Sequence, residues 1–510
     1  MKKYISIIIV GFFGLLLITA CNKDLELSPI SSIADGNFWQ TADQVDAFVS
    51  GLHTRLRTHT SNLLYLGELR SDIFGTDPGS GIAFTGESTA GNERLWLNSL
   101  DLDNPGVASY GGFYTNINQI NLLISKLNTV DFVTPANKSY YLGIAHGMRA
   151  YYYFQLLRAW GKVIIQTEPT TSFDISNLAK AAASEDEVMV LIKDDIEKSS
   201  NYFGLDYSFR KTKSFWSKPA TLMLKAEVYL WTSYRGGGNN DATTAKNALL
   251  DIQTKAAGLA LVANYASIFA TTSRGNSEII FAVRDLLNEA TLPIAAFIPA
   301  TSLIPNYYDS ISGRKFDAVT DNWGGSLKCP TKIATFRKFN DKDTRKVATI
   351  QAAFTKTVTP SFKIAGCYMN KYSGEQNAGV RALTNDFPIY RYADLLLLLA
   401  EAKAILGENP ATEINLVRAR AYSTNYTLAT VGFPNQVGDA VIKEAILKER
   451  FFEFIFEGKR WLDLRRMGDS YVYANTNILP TEAYKLLWPI DRTTLTNNRL
   501  LEQTPGYPKF

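Results

Sequence analysis

Apolar residues recur at the spacing of one helical face along much of the chain. A helix is predicted to begin near Thr41, capped by Thr41 or Asp43, because apolar residues follow at one-face spacing: Val45, Phe48, Val49 and Leu52. Ser184 and Glu187 form the Ser-x-x-Glu signature of a capping box, which predicts a second helix start. Further helical patterns begin near residues 113, 140, 218, 242, 391, 411 and 439. The sequence therefore predicts a mainly α protein.

The order of these segments indicates how the helices assemble. Consecutive helices with Ala-, Leu- and Tyr-rich faces suggest antiparallel pairs stacked into a superhelix, as in tetratricopeptide-type repeats, although no exact repeat period is present. Between roughly residues 265 and 385 the helical period weakens and Gly, Pro, Ser, Thr and Asn become frequent. We expect a loop-rich, partly β variable region there, with "EIIFAV" from Glu278 as a strand. Residues 33–260 and 386–510 are expected to form the flanking helical parts of one body.

The first twenty residues have the composition of a secretory signal. Lys2 and Lys3 precede an apolar and glycine run from Ile7 to Ile18, which is too short to span a bilayer comfortably. The end of this run, "ITAC", resembles a bacterial lipobox. By that resemblance residues 1–20 are removed, Cys21 carries the lipid, and residues 21–32 form a polar tether. An ordinary signal peptide with a chance cysteine is the alternative.

Charge and cysteine content narrow the possible partners. The net charge is only +4, with no dense Lys/Arg run, so a nucleic-acid partner is not expected. The three histidines and three cysteines lack metal-ligand spacing, and no calcium-loop motif occurs; we therefore expect no cofactor, with calcium possible but unsupported. Cys329 and Cys367 could form a disulfide or remain as two buried thiols.

Aromatic side chains in two polar, loop-like segments are candidates for ligand contact. Aromatics make up 12% of the chain, and sugar recognition combines their apolar faces with directed amide, carboxylate and guanidinium groups. The polar flanks of Trp96 and Trp323 argue against deep burial, which makes these two the preferred candidates. Packing in the core is the alternative for each member of the full set: Asp72, Phe74, Arg94, Trp96, Asn98, Tyr307, Tyr308 and Trp323.

Acidic residues supply only a weak argument for catalysis. Glu68 and Asp72 are four residues apart and would share a helical face, and a glycosidase needs two such carboxylates close together in a cleft. A solvated helix end is the favoured interpretation of this pair. No Gly-x-Ser-x-Gly, phosphate-loop or His-Glu-x-x-His motif occurs in the sequence.

The stretch "ERFFEFIFEGKRWLDLRRMG" from Glu449 mixes acids, bases and aromatics. Glu449, Glu453 and Glu457 are spaced for one helical face, where like charges repel unless cations compensate them. The intervening phenylalanines are too apolar for a solvated surface. We therefore predict a packed helix whose charges form a structural network, with Arg465 and Arg466 closing the turn after it.

Several segments together resemble the SusD/RagB family of outer-membrane lipoproteins. The resemblance is carried, in order, by "HGMRAYYYFQLLRAWGKVIIQTEPT", "WSKPATLMLKAEVYLWT", "FPIYRYADLLLLLAEA", "INLVRARA", the stretch from Glu449, and "LLWPIDRTTLTNNRLLEQTPGY". Asp491 stands where the family has a proline, and Glu502, Gln503 and Thr504 replace its usual Gln-Asn. These departures touch a surface loop and leave the fold expectation intact.

The resemblance implies a function. Such proteins are lipid-anchored at the outer face of the outer membrane in Bacteroidetes-type bacteria, capture oligosaccharides without cleaving them, and deliver them to a SusC-type TonB-dependent transporter. A peptide or another nutrient on the same scaffold is the alternative. A glycoside hydrolase and a pure protein-interaction scaffold are weaker ones. The sequence does not identify the glycan, its linkage or its length.

Overall fold

The computed structural model describes residues 38–75, 90–107, 110–170, 179–309, 312–317, 320–321, 323–358 and 361–510. The signal peptide, Cys21 and the tether lie outside the described residues. The helices of the N-terminal half are α1 Ala42–Leu56, α2 Thr60–Glu68, α3 Glu93–Trp96, α4 Tyr110–Thr129, α5 Pro135–Trp160, α6 Glu185–Phe203, α7 Lys218–Thr232 and α8 Gly238–Lys255. Those of the C-terminal half are α9 Ile333–Arg337, α10 Arg345–Thr349, α11 Tyr392–Ile405, α12 Ala411–Tyr422, α13 Ile442–Phe454, α14 Arg460–Met467, α15 Asp469–Asn475 and α16 Arg492–Asn497.

Local side-chain hydrogen bonds fix the predicted helix starts. The Gln44 amide N–H donates to Thr41 Oγ1 at 3.3 Å, and the Thr41 N–H donates to Gln44 Oε1 at 3.0 Å. Ser184 and Glu187 exchange the equivalent pair of bonds at the start of α6, at 3.3 and 2.8 Å. Each capping box satisfies amide groups that lack partners within the helix.

Consecutive helices pack against each other and form a continuous frame. Helix α5 packs on α4 and α6, α7 packs on α8, and α11 packs on both α12 and α13. Contacts between α8 and α11 join the two helical halves. Helix α5 is buried on every side from Tyr140 to Trp160, as expected for a helix at the centre of a large core.

Among the described residues, six short strands lie within and just after the predicted variable region: β1 Ile279–Val283, β2 Ile350–Lys356, β3 Phe362–Met369, β4 Glu375–Asn377, β5 Val380–Ala382 and β6 Phe387–Arg391. The predicted strand in "EIIFAV" is confirmed as β1, which pairs antiparallel with β6. The sequence did not predict β6. Both strands are buried along their whole length, so the loop-rich region is connected directly to the core.

The stretch from Glu449 folds as a helix, a tight turn and a second helix. Helix α13 ends at Phe454, and α14 begins only at Arg460. Between them, Phe456 and Gly458 adopt positive φ angles of 67° and 69°. The prediction that Glu457 shares one helical face with Glu449 and Glu453 is therefore wrong, because the backbone turns before it.

The two later cysteines are free buried thiols, Cys329 and Cys367, which resolves the alternative that the sequence left open. Among the helices that the structure describes, none is both long and apolar enough to cross a membrane.

Candidate ligand-binding site

The carboxylates of Glu68 and Asp72 are buried in the frame. Glu68 Oε1 accepts from the Phe456 N–H at 2.6 Å, and its Oε2 accepts from the Gly458 N–H at 3.0 Å. Burial raises the pKa of Glu68 to about 8, despite these two hydrogen bonds. Asp72 accepts from Arg460 and Lys338. The expectation of a solvated helix end is wrong, because both carboxylates are buried and bind groups from distant segments of the chain.

Phe74 belongs to the core. Its ring packs against Phe297 and Phe456, with centroids 5.5 and 5.8 Å apart, and its side chain is fully buried. Its backbone bridges to Thr331, and Thr331 bridges in turn to Cys367 of β3. Phe74 therefore anchors the Asp72–Gly75 segment to the β2–β3 hairpin and does not face a ligand.

Asn98 also has a structural role in place of the predicted ligand contact. It is 1% exposed, and its Oδ1 accepts from Arg70 Nε at 2.8 Å. The Arg70 guanidinium lies between the rings of Trp461 and Trp488, 4.6 and 5.0 Å from their centroids. A fully buried cation needs acceptors, and Asn98 supplies one.

Trp96 lies at the surface, where the sequence placed it. Its indole is half-buried, and a Cβ added at Gly75 would stand 3.0 Å from Trp96 Cδ1 and 3.2 Å from Lys332 Cε. Arg94, two residues earlier, forms a partly exposed ion pair with Asp101 at 3.3 Å. Trp96 and Arg94 therefore remain candidates for ligand contact, beside the Gly75 end of the buried segment.

The prediction that Trp323 lies at the surface and contacts a ligand is wrong. Only 1% of it is exposed, and its ring packs against Phe316 and Tyr368 at centroid distances of 5.2 and 5.4 Å. Its polar sequence neighbours indicated a surface loop. Part of the burial comes from Tyr368, a β3 residue far away in sequence. Tyr307 is buried as well.

Tyr308 stands on a partly exposed aromatic surface that the sequence analysis did not identify. Its backbone pairs with Phe354 of β2, at 2.9 and 3.0 Å, and its ring lies 5.9 Å from that of Phe362. We define the hairpin face as the half-buried apolar side chains on this side of the outer β2–β3 hairpin: Tyr308, Phe354, Phe362 and Ile364. Alternation of apolar and polar residues in "FKIAG" was the signal that could have revealed it.

A network of backbone bridges runs from Phe74, close to Trp96, to the hairpin face. The bridges run from Phe74 through Thr331 to Cys367, and β3 pairs with β2 in an antiparallel hairpin. At the outer end of that hairpin, Phe354 pairs with Tyr308. Phe74, which precedes the Gly75 that lies near Trp96, and Tyr308 of the hairpin face are thus at opposite edges of one small β layer.

The acidic residues of the stretch from Glu449 form the predicted structural network. Glu449, Glu453 and Glu457 are all buried, and each is paired with at least one buried cation. Burial alone would raise the pKa of Glu453, but the guanidiniums of Arg420, Arg391 and Arg345 hold it below its ordinary value. This part of the prediction is confirmed.

Arg465 and Arg466 lie within α14 and contact different partners. Arg466 pairs with Glu401 at 2.8 Å, whereas Arg465 Nη1 donates to the Arg158 carbonyl near the end of α5 at 2.6 Å. They do not close the turn after α13, which precedes them. Within the described residues, no group of three or more His, Cys, Asp or Glu side chains is arranged to hold a metal ion.

Comparison with known proteins identifies the family. Two family models match the chain, one described as "SusD family" over residues 331–507 and one as "Starch-binding associating with outer membrane" over residues 84–230. A crystal structure of a SusD superfamily protein from Bacteroides vulgatus ATCC 8482 is 39% identical, with a TM-score of 0.85 over 92% of this chain and 100% of that chain. The chain belongs to the SusD family.

Other relatives support the same assignment. "B. fragilis NanU" is 42% identical, with a TM-score of 0.88 over 94% of this chain and 100% of that chain. SusD-like protein P38 of Formosa agariphila is 26% identical over 99% of this chain and 100% of that protein. The family resemblance and the mainly helical fold predicted from the sequence are thereby confirmed.

Proposed function

We propose that this protein captures oligosaccharides at the outer surface of the outer membrane and delivers them to a TonB-dependent transporter without cleaving them. The observation that carries the proposal is a pair of partly exposed aromatic surfaces, Trp96 and the hairpin face, on a SusD-family frame. Aromatic faces bury the apolar face of a sugar ring, and adjacent polar groups bind its hydroxyls.

The positions of the buried carboxylates support binding without hydrolysis. A glycosidase needs two carboxyl groups that face the same sugar from a cleft. Glu68 binds two backbone N–H groups, and Asp72 binds Arg460 and Lys338. The acidic pair that the sequence offered for hydrolysis therefore has another role.

The leader and the family support the proposed location. Cys21 is proposed to carry the lipid, and the matched model describes proteins that associate with the outer membrane. A SusC-type transporter is the proposed partner. Metabolic labelling with a palmitate analogue tests the anchor, which Cys21→Ser should remove, and protease treatment of intact cells tests exposure at the surface.

Calorimetric titration with a panel of oligosaccharides tests the binding function. We expect saturable binding that falls at least about tenfold in Trp96→Ala or Tyr308→Ala, since loss of one stacking aromatic costs about 1.5 kcal/mol. Tyr202→Ala is the matched control, because Tyr202 is an exposed aromatic on α6. Released sugars would contradict a non-catalytic role, and binding to a peptide pool but to no saccharide would overturn the proposal.

A further inference from the structure

Two lysines from different segments converge on the aromatic ring of Tyr308. Lys315 Nζ and Lys356 Nζ each lie 5.8 Å from the ring centroid. Lys315 reaches it from the chain that bridges to Tyr308, and Lys356 from the last residue of β2, opposite Phe362. Both lysines are exposed. The hairpin face is therefore bordered by positive charge on two sides.

Neither lysine forms an ion pair with any residue that the structure describes. The acidic side chains near Lys315 in sequence have other contacts: Asp317 accepts from Thr320, Asp309 accepts from Ser312 and Gln351, and Asp321 pairs with Arg314 at 2.6 Å. Some exposed lysines elsewhere do have acidic partners, as in the pairs Lys198–Asp194 and Lys255–Asp251. The charge beside the hairpin face thus remains available to a ligand, in a chain whose net charge is only +4.

A third lysine, Lys363, lies on the opposite face of the hairpin from Lys315 and Lys356. Successive side chains of a strand point to opposite faces, so Lys363 lies on the other side of the hairpin from Phe362 and Ile364. Lys363 stands opposite Thr355 in the register of the two strands, and it is also exposed. The same hairpin therefore offers two lysines beside the aromatic row and one that faces away from it.

We propose that the ligand of the hairpin face is an anionic oligosaccharide that carries carboxylate or sulfate groups. The inference rests on the proposed glycan-binding function and adds the substrate class. The apolar faces of the sugar rings pack on Tyr308, Phe354 and Phe362, and the acidic groups lie against Lys315 and Lys356. Hydrogen bonds between two charged groups are stronger than those between neutral ones, and exposed charges make binding sensitive to salt.

Matched neutral and acidic saccharides test the inference with the intact protein. The probes are oligogalacturonate and its carboxyl-reduced counterpart, and dextran sulfate and dextran. Polyglutamate serves as an anion without sugar rings. We expect one acidic saccharide to bind at least about tenfold more tightly than its neutral counterpart, and the preference to fall as salt is raised from 50 to 500 mM. The two acidic probes distinguish carboxylate from sulfate recognition.

Three variants locate the site. Lys315→Ala/Lys356→Ala should lose the preference for the acidic probe, and Lys315→Arg/Lys356→Arg should keep it. Lys363→Ala removes a charge from the opposite face of the same hairpin and should change affinity less than about twofold. Thermal unfolding of each variant confirms that it is folded.

The outcomes separate this inference from the proposed function. Equal binding of neutral and acidic saccharides overturns the anionic class and leaves glycan capture intact. Equal binding of polyglutamate, or equal losses in Lys363→Ala and the double alanine variant, overturns recognition by the hairpin face. Binding of no saccharide at all is the failure of the proposed function itself.

Discussion

Arg460 and Asp72 form a bidentate ion pair across 388 residues of sequence, with Nε–Oδ1 and Nη2–Oδ2 distances of 2.8 and 3.2 Å. Arg460 begins α14, and Asp72 lies in the segment that ends at Gly75 beside Trp96. Lys338 adds a third contact to the same carboxylate at 2.8 Å. The segment that most clearly marks the family therefore also positions the backbone next to one candidate ligand surface.

Replacement of Arg460 tests how much this ion pair stabilises the fold. Arg460→Met leaves the buried Asp72 carboxylate with only the partly exposed Lys338 as its cation. We expect the free energy of unfolding to fall by about 2–4 kcal/mol, because removal of one partner leaves a poorly compensated buried charge. Guanidinium denaturation of both proteins measures the loss.

A second ion pair provides the control for this prediction. Arg492 and Asp103 are also bidentate, but both side chains are more than half exposed. Arg492→Met should therefore leave the denaturation midpoint unchanged. The double variant Asp72→Asn/Arg460→Met should lose less stability than the sum of its single variants. A loss in the double variant equal to the sum of the two single losses would contradict an energetic coupling between Arg460 and Asp72.

The close approach of Gly67 to the α13–α14 turn gives another stability prediction. A Cβ at Gly67 would lie 1.7 Å from the Gly458 carbonyl oxygen, which is backbone and has no rotamer to change. Gly67→Ala should lower the free energy of unfolding by about 3 kcal/mol or more. Gly51→Ala is the matched control, because nothing lies within 4 Å of its Cβ position in α1, and it should stabilise by about 0.5–1 kcal/mol.

Helix positions could be predicted from the sequence because their signals are local. The capping residues Thr41 and Ser184, and the apolar spacing after each, lie within one or two turns of the helix that they start. The burial of Glu449 and Glu453 could be predicted because phenylalanines surround them in sequence. Each of these predictions depends on short-range periodicity, which a single sequence displays directly.

The candidate site could be predicted only in part, because burial there depends on residues far away in sequence. Trp323 is covered by Tyr368, and Asn98 is buried by its contact with Arg70. Polar neighbours in sequence gave no sign of either contact. Trp96 and Tyr308, which come from the same two polar segments, are partly exposed. Sequence polarity alone therefore did not separate the buried residues from the exposed ones.

The two buried thiols should be unreactive in the folded protein. Burial raises the pKa of Cys329 to about 12, so the reactive thiolate is scarce at pH 8, and Cys367 is equally inaccessible. In a Cys21→Ser chain, Ellman's reagent should detect no thiol before unfolding and two thiols in guanidinium chloride. Detection of no thiol in the unfolded, unreduced chain would instead reveal a disulfide.

Glu68 should make stability depend on pH in the direction opposite to that of an ordinary salt-bridged acid. Its pKa is about 8 in the folded protein, against an ordinary value of 4.5, because burial disfavours the charged form. Between these pH values the folded protein holds a proton that the unfolded chain releases. The contribution of Glu68 to the free energy of unfolding is therefore complete below pH 4.5 and is lost as the pH rises towards 8, by up to about 1.4 kcal/mol per pH unit.

Glu68→Gln isolates this dependence from other titrating groups. The variant carries no ionisable group at this position, so it should gain stability relative to the parent protein at each step from pH 5 to pH 8. Guanidinium denaturation at each pH gives the difference in free energy of unfolding. Glu444→Gln, at an exposed position on α13, should stay parallel to the parent over the same range. A constant difference between Glu68→Gln and the parent would mean that the carboxylate is already charged at pH 5, with the Phe456 and Gly458 N–H groups outweighing the cost of burial.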